Sequence, residues 1–482
     1  MDLSGLPETA FVSPRGENRP AVDDLLQAGL ARVIAQLATA AARPLLPRKE
    51  AALPELLPAE PVAEAELLAR LDGLLEASMN AAAPGWTGHM DPPPATASIL
   101  GALAAAAINN NLLSHEMAPA LSRLEIALMA RFAAVFGLPQ GAGGVMASGG
   151  SLANTLALAV ARNRAFPEAA EAGLGGLARR PVLFASSAAH TSLAKAAMVL
   201  GLGRSAVVSV PCREGRMDPQ ALDAAIAGAR AAGQAPFALV ATAGTTVTGA
   251  IDPLPILAEI AAREGLWLHV DAAYGGALAF SPRFRDRLAG IERADSVTFN
   301  PQKWLHVAKT CACCLFRDAE LPARHFRIAA PYMAETGAVN LGELGLQGTR
   351  PAEVLKLWLT LQHLGQSGLA RLVEAGMALT ETVSAELAKR PGLELAAPAD
   401  SNLLCFRPAG AEDAEVEALQ RRLLEAGLFL SLPLYEGRRW LRLVLLNPHT
   451  GEAEIARMFE VLDEGVKKGG VLDDGHPSTG SG

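Results

Sequence analysis

The sequence predicts an α/β protein with a mostly parallel central sheet, an N-terminal helical segment and a smaller C-terminal α+β domain. Three observations carry this expectation. Between about residues 86 and 320, short apolar runs alternate with helix-length amphipathic stretches, a pattern that suits parallel strands joined by right-handed crossovers. Half of the 482 residues are hydrophobic and only 19% are charged, so a large core can be buried. Aromatics make up just 5%, and alanine, leucine and valine dominate the apolar share, which suits alanine-faced helices packed on a sheet.

The elements follow in order. Residues 1–20 read as a loose arm, and 21–43 and 61–80 carry helical periodicity around a proline-rich connector from Pro44 to Pro61. Together they form an N-terminal helical arm, residues 1–85. The large α/β domain is expected over 86–350. Its strand candidates are Pro181–Ser186, Ala206–Val210, Phe237–Ala243, Leu266–Val270, Ser296–Phe299 and Cys311–Phe316. Ser151–Ala165, Thr191–Leu200, Pro219–Ala232 and Pro253–Glu264 read as helices between them. A loop region near 321–350 precedes a helix starting over Pro351–Leu364, and the C-terminal domain, 351–466, has strand candidates at Leu403–Phe406 and Trp440–Leu446. The polar, glycine-rich tail, 467–482, is expected to fray.

Composition removes several function classes. A net charge of −8 without a Lys/Arg block argues against a nucleic-acid binder. The longest apolar stretch, Ala95 to Ile108, falls short of the roughly 18 residues of a membrane span. The N-terminus lacks the charged start and apolar run of a signal peptide, so a soluble, cytoplasmic protein is expected. Cys311, Cys313 and Cys314 have no second cysteine pair or histidine at ligand spacing, so they read as a buried strand of reduced thiols and no metal is expected. Of 42 basic residues only eight are lysines, so a catalytic lysine has few competitors.

In a doubly wound sheet the ligand crevice lies beyond the carboxyl ends of the strands. Four features sit at such ends, each with two readings. The small-residue stretch from Gly143 through Ser148, Gly149, Gly150 and Ser151 to Asn154 leads into a helix, as an anion cradle or as a tight turn. Asp271 closes a fully apolar run, where a buried carboxylate needs a cation or a protonated nitrogen, or else caps the next turn. Lys303, in Asn300-Pro-Gln302-Lys303-Trp, is either a desolvated nucleophile that can condense with an aldehyde or a snorkelling side chain. His190 either caps its helix or lies flat on a planar ligand. Jointly they fit pyridoxal phosphate, whose phosphate needs a cradle, whose aldehyde needs a lysine and whose pyridine nitrogen needs a carboxylate.

At these residues the chain resembles the group II pyridoxal-phosphate-dependent amino-acid decarboxylases, from about Arg43 to Asp463. The likeness rests on His-Val-Asp271-Ala-Ala-Tyr-Gly-Gly, Asn300-Pro-Gln-Lys303-Trp and Ala-His190-Thr-Ser. Ser148-Gly-Gly-Ser151, Ala243-Gly-Thr-Thr246, His115-Glu-Met-Ala-Pro119 and Trp440-Leu-Arg442 through Pro448 support it. The resemblance implies the aspartate aminotransferase-like fold (fold type I) and decarboxylation of an L-amino acid to its amine. It implies Lys303 as the Schiff-base lysine, Asp271 as the pyridine-nitrogen partner and His190 as the stacked ring. Gly150 and Ser151 match the phosphate cradle, with Thr246, Ala273 and Asn300 as further cofactor contacts. Arg442 matches a substrate-carboxylate arginine and Tyr332 a proton donor to the carbanion, while His89 corresponds loosely to a substrate-pocket histidine. A homodimer with the active site at the subunit boundary is also implied.

One departure stands out. Gln302 occupies the place where the family usually has histidine, and it cannot take up a proton near neutrality. Oxidative deamination to an aldehyde, other chemistry on the same cofactor and a non-catalytic binding protein that kept the fold are the alternatives; Tyr332 argues against the first, and intact Lys303, Asp271 and His190 against the last. Substrate identity stays open: His115-Glu-Met-Ala-Pro119 leans to the glutamate and cysteine-sulfinate branch, Asn300-Pro-Gln-Lys303-Trp to the aromatic one.

Overall fold

The computed structural model describes residues 5–47, 53–328 and 337–468. Helices α1 (Arg19–Ala38), α2 (Glu64–Glu76), α3 (Thr96–Ile108) and α4 (Pro119–Val135) come first. Next along the chain are β1 (Gly143–Ala147), α5 (Gly150–Ala165), α6 (Ala169–Ala172), β2 (Pro181–Ser186), α7 (Ser192–Val199) and β3 (Val207–Val210). A short hairpin of β4 (Cys212–Arg213) and β5 (Arg216–Met217) leads to α8 (Pro219–Ala231), β6 (Ala235–Thr242), α9 (Leu254–Glu264) and β7 (Trp267–Asp271). Strands β8 (Ser296–Phe299) and β9 (Ala312–Phe316) and helix α10 (Leu321–Phe326) complete this part.

Seven strands form one sheet in the order β1-β9-β8-β7-β6-β2-β3. Neighbours from β8 to β3 are parallel, as the alternation of strands and helices predicts. Strand β9 departs from that expectation and runs antiparallel to both β8 and β1. The reason is in the connection: residues 300–311 hold no helix that could carry the chain back, so it must turn and return beside β8. That turn carries Lys303. A second correction concerns Gly143–Ala147, which is strand β1 and not part of a cradle; the small residues free to meet an anion begin at Ser148. Strands β1, β2, β7, β8 and β9 are buried along their whole length, which is why they read as continuous apolar runs.

The long helical run α11 (Val354–Ala388) packs its first turns on α3, where a Cβ on Gly101 would lie 2.6 Å from Lys356 Cα. It breaks at Gly365, which takes φ 62°. Its C-terminal turns place Val383 and Leu387 in a second, smaller core. Around them lie β10 (Leu393–Leu395), β11 (Leu403–Pro408), α12 (Asp413–Glu425), the hairpin β12 (Leu434–Tyr435) and β13 (Arg438–Arg439), β14 (Leu441–Val444) and α13 (Glu452–Lys468). Strands β10, β11 and β14 form an antiparallel sheet with β14 at its edge. Among the described residues no helix is long and apolar enough to cross a membrane.

Candidate active site

At the carboxyl end of β1 the chain turns through Ser148 and Gly149 into α5. Gly149 has φ 133°, a conformation side chains rarely adopt, and a Cβ on Gly150 would lie 2.9 Å from Asn300 Nδ2. No side chain caps α5, so its first-turn N–H groups, with the Ser151 hydroxyl, are left for an anion. The turn is braced from behind. Arg350 Nη2 donates to both Glu125 oxygens (2.7 and 2.9 Å) and to Met146 O, while Met146 N donates to Glu125 Oε1.

Asp271 ends β7 and is only 6% exposed. Asn154 Nδ2 donates to its Oδ2 at 2.8 Å and Ala273 N to its Oδ1 at 3.1 Å. Across the crevice, the turn after β8 is set by Lys303 N donating to Asn300 O and His306 N to Lys303 O. This turn is tied to the segment before α3: Ala95 N donates to His306 O, His306 Nδ1 to Pro93 O, and Ala308 N to Ser98 Oγ. Burial favours the neutral amine of Lys303 and lowers its pKa, opposed mainly by the charge of Asp271. Gln302 turns its side chain to the backbone, Oε1 accepting from Cys311 N at 2.5 Å, so here it closes the turn.

His190 precedes α7, its Nδ1 accepting from Ser192 N at 3.1 Å. Burial also lowers its pKa, with Asp271 opposing and Lys303 adding to the shift. It is exposed in the single chain. Gly150, Ser151, His190, Thr246, Asp271, Ala273, Asn300 and Lys303 all line one cavity of about 420 Å³ at the sheet's carboxyl edge. A larger cavity of about 630 Å³ between α4 and α11 has only arginines at its charged positions and no lysine–carboxylate pair. Two buried polar atoms in the walls of the smaller cavity, Asn300 Oδ1 and Thr242 Oγ1, have no hydrogen-bond partner in the protein. With the uncapped helix end and the glycine that leaves no room for a Cβ, they fit a flat polar ring carrying an anion. Pyridoxal phosphate meets that description.

Arg442 and His89 stand just beyond this cavity. Arg442 is buried, only 7% exposed. Its Nε donates to Ser431 Oγ (2.9 Å), Nη1 to Thr246 O (2.6 Å), and Nη2 to Gly88 O (2.9 Å) and His89 Nδ1 (3.2 Å). Among the described residues no carboxylate lies within ion-pair distance of it. His89 packs beside Phe429, which stacks on Trp86 at 4.7 Å. Burial, then the Arg442 charge, lowers the His89 pKa. Tyr332 lies outside the described residues. The sequence reading left Asn154, His269 and Thr242 without roles, although strand alternation already puts His269 on the Asp271 face of β7.

A family model, the pyridoxal-dependent decarboxylase conserved domain, matches residues 47–409. The L-2,4-diaminobutyrate decarboxylase of Rhizobium meliloti (strain 1021) is 33% identical over 405 residues, covering 82% of this chain and 80% of that protein. The mouse (Mus musculus) cysteine sulfinic acid decarboxylase is 33% identical over 389 residues, covering 76% of this chain and 78% of its own. The crystal structure of mouse CSAD in apo form superposes with a TM-score of 0.87 at 29% identity, covering 93% of this chain and 99% of that one.

Proposed function

The chain belongs to the pyridoxal-dependent decarboxylase family, and from that premise we propose that it converts an L-amino acid to its amine and carbon dioxide, with Lys303 as the attacking amine. The observation that carries this reading is the Lys303 amine, favoured neutral by burial, in one cavity with Asp271 and the uncapped start of α5. Bound pyridoxal phosphate supplies an aldehyde and a protonated ring able to take up the electrons left when carbon dioxide departs.

The protein's own groups do the rest. The first-turn N–H groups of α5, Ser151 and Asn300 hold the phosphate. Asp271 accepts from the ring nitrogen and keeps its proton in place. His190, Ala273 and Thr246, which line the same cavity, would contact the ring. Lys303 Nζ, whose neutral form burial favours, would supply the amine that holds the cofactor aldehyde and gives way to the substrate amine. Arg442 offers its remaining Nη1 hydrogen and its uncompensated charge to a substrate carboxylate, with His89 beside it. Tyr332 returns a proton to Cα.

Replacing Lys303 with Ala should abolish turnover and the yellow colour of the purified holoenzyme; an active, yellow variant would overturn the assignment. The wild-type protein should release carbon dioxide and amine one to one from a member of a panel of acidic, aromatic and basic L-amino acids. Peroxide with aldehyde would point to oxidative deamination instead.

A homodimer completes the reading. Leu26 and Leu30 on α1, Leu67 and Leu74 on α2, and Leu100 and Leu103 on α3 are all exposed, with Leu100 58% accessible. Large apolar residues clustered on successive helices suit burial against a second copy. Light scattering should give twice the chain mass.

A further inference from the structure

Behind Asp271 lies a file of four buried side chains, Trp267, Ser296, His269 and Asn154, that the reaction described above does not use. Trp267, His269 and Asp271 alternate along one face of β7. Ser296 of β8 stands opposite His269, and Asn154 reaches over from α5. Trp267 Nε1 donates to Ser296 Oγ at 2.9 Å, and Ser296 Oγ lies 2.8 Å from His269 Nδ1. His269 Nε2 is 3.0 Å from Asn154 Oδ1, with a longer 3.4 Å contact to Thr298 Oγ1. Asn154 Nδ2 then reaches Asp271 Oδ2 at 2.8 Å and Ser192 Oγ at 2.9 Å.

The ends of this file determine its polarity. An indole N–H can only donate, so the hydroxyl hydrogen of Ser296 is free to point at His269 Nδ1. Nδ1 is then an acceptor, and the neutral imidazole carries its hydrogen on Nε2, facing Asn154 Oδ1. With its oxygen so occupied, the Asn154 amide must turn both N–H bonds towards Asp271 and Ser192. The opposite flip would set its oxygen against the carboxylate and its N–H against another N–H. Burial holds the His269 pKa down at about 4, consistent with a neutral ring. Every link therefore donates towards Asp271, and such chains polarise each other in a low-dielectric interior.

We propose that Asn154 and His269 are positioning residues for the cofactor: a one-way hydrogen-bond chain starting at Trp267 fixes the Asp271 carboxylate as a pure acceptor, so that the shared proton stays on the ring nitrogen. The Asn154–Ser192 bond extends the same control to His190, because Ser192 N donates to His190 Nδ1. One amide thereby orients both the in-plane and the stacking partner of the ring. This rests on the role proposed above for Asp271.

The test compares His269→Phe with His269→Gln, whose amide nitrogen can replace Nε2 as donor to Asn154. Apoenzyme is titrated with pyridoxal phosphate, and affinity, visible absorption and the thermal midpoint of the apoenzyme are recorded. His269→Phe should weaken affinity about tenfold and shift the absorption, because Asn154 Oδ1 is left unpaired and the amide is free to flip. His269→Gln should restore both to within about threefold. Wild-type affinity and absorption in a folded His269→Phe protein, or equal losses in both variants, would overturn the chain. If His269→Phe does not fold, the wild type decides: its imidazole 15N spectra should show His269 as a single Nε2–H tautomer. An Nδ1–H tautomer, or a mixture of the two, would overturn the chain. Asp271→Asn is the control: unaltered absorption there removes the ring-nitrogen role itself, whereas altered absorption there with a silent His269→Phe removes only the chain.

Discussion

Asp271 and Arg442 are the two buried charges of the site, and they are held in opposite ways. Neither has an oppositely charged side chain within ion-pair distance among the described residues; each is surrounded by neutral hydrogen-bond partners. For Asp271 the partners come from α5 and from the residues just after β7, all packed on one sheet. Arg442 instead gathers Gly88, Thr246 and Ser431, which lie far apart in the chain. A buried charge without a counterion is costly unless something of opposite sign arrives. The Asp271 end of the site is thus set by the sheet and the helix packed on it, whereas the Arg442 end exists only when three segments converge.

The two ends should fail differently. The largest effect is expected for Asp271→Asn, which removes the carboxylate proposed above to hold the ring nitrogen. Its kcat should fall by about 10³-fold, and the visible absorption should change with it. Normal turnover would break the contrast at its stronger end. Arg442→Lys keeps the charge but loses the fork that spans four acceptors. Its KM should rise by about 10- to 100-fold while cofactor absorption stays as in the wild type. Loss of cofactor in that variant would show the two ends to be one unit.

The smallest effect concerns pH. His269 and His306 are buried and pushed down to about 4, while a histidine in the unfolded chain takes a proton near 6.5. Between those values the unfolded state binds more protons, so stability falls as pH drops. Buried Asp252, pushed up to about 6, works the other way from pH 6 to 4, since there the folded state holds the extra proton. One histidine is offset, so these three groups together leave a net loss on the order of 1 kcal/mol per pH unit of acidification. Urea unfolding of the apoenzyme at pH 6 and pH 5 measures it. His306→Asn should flatten the slope, and asparagine tolerates the φ of 57° found there.

The same contrast explains what could be read in advance. The grouping of the smaller cavity's residues was legible because each group follows a strand, and strand ends can be found from apolar runs. Pro181–Ser186 and Ser296–Phe299 match the expected limits to the residue. The reversal at β9 was not legible, because an apolar run has no direction and only the missing helix before it reveals one. Strand β1 was hidden since Gly143 and Gly144 look like turn residues. There a Cβ on Gly144 would lie 2.1 Å from Cys314 O, so glycine serves the close approach of two strands. The partners of Arg442 escaped notice because two are backbone carbonyls, which leave no mark in a sequence.

Strand β9 has one more consequence. Cys311, Cys313 and Cys314 lie buried in the middle of the sheet, as does Cys405 in the smaller one, while Cys212 is half-buried. Burial raises the thiol pKa of Cys311 and Cys314 well above the usual range and pushes Cys405 up to about 12, so little thiolate forms while the fold is intact. A colorimetric thiol reagent added to native protein should therefore label Cys212 alone. Every four further equivalents consumed would count one molecule that has opened, giving the chain a built-in gauge of its own shelf life.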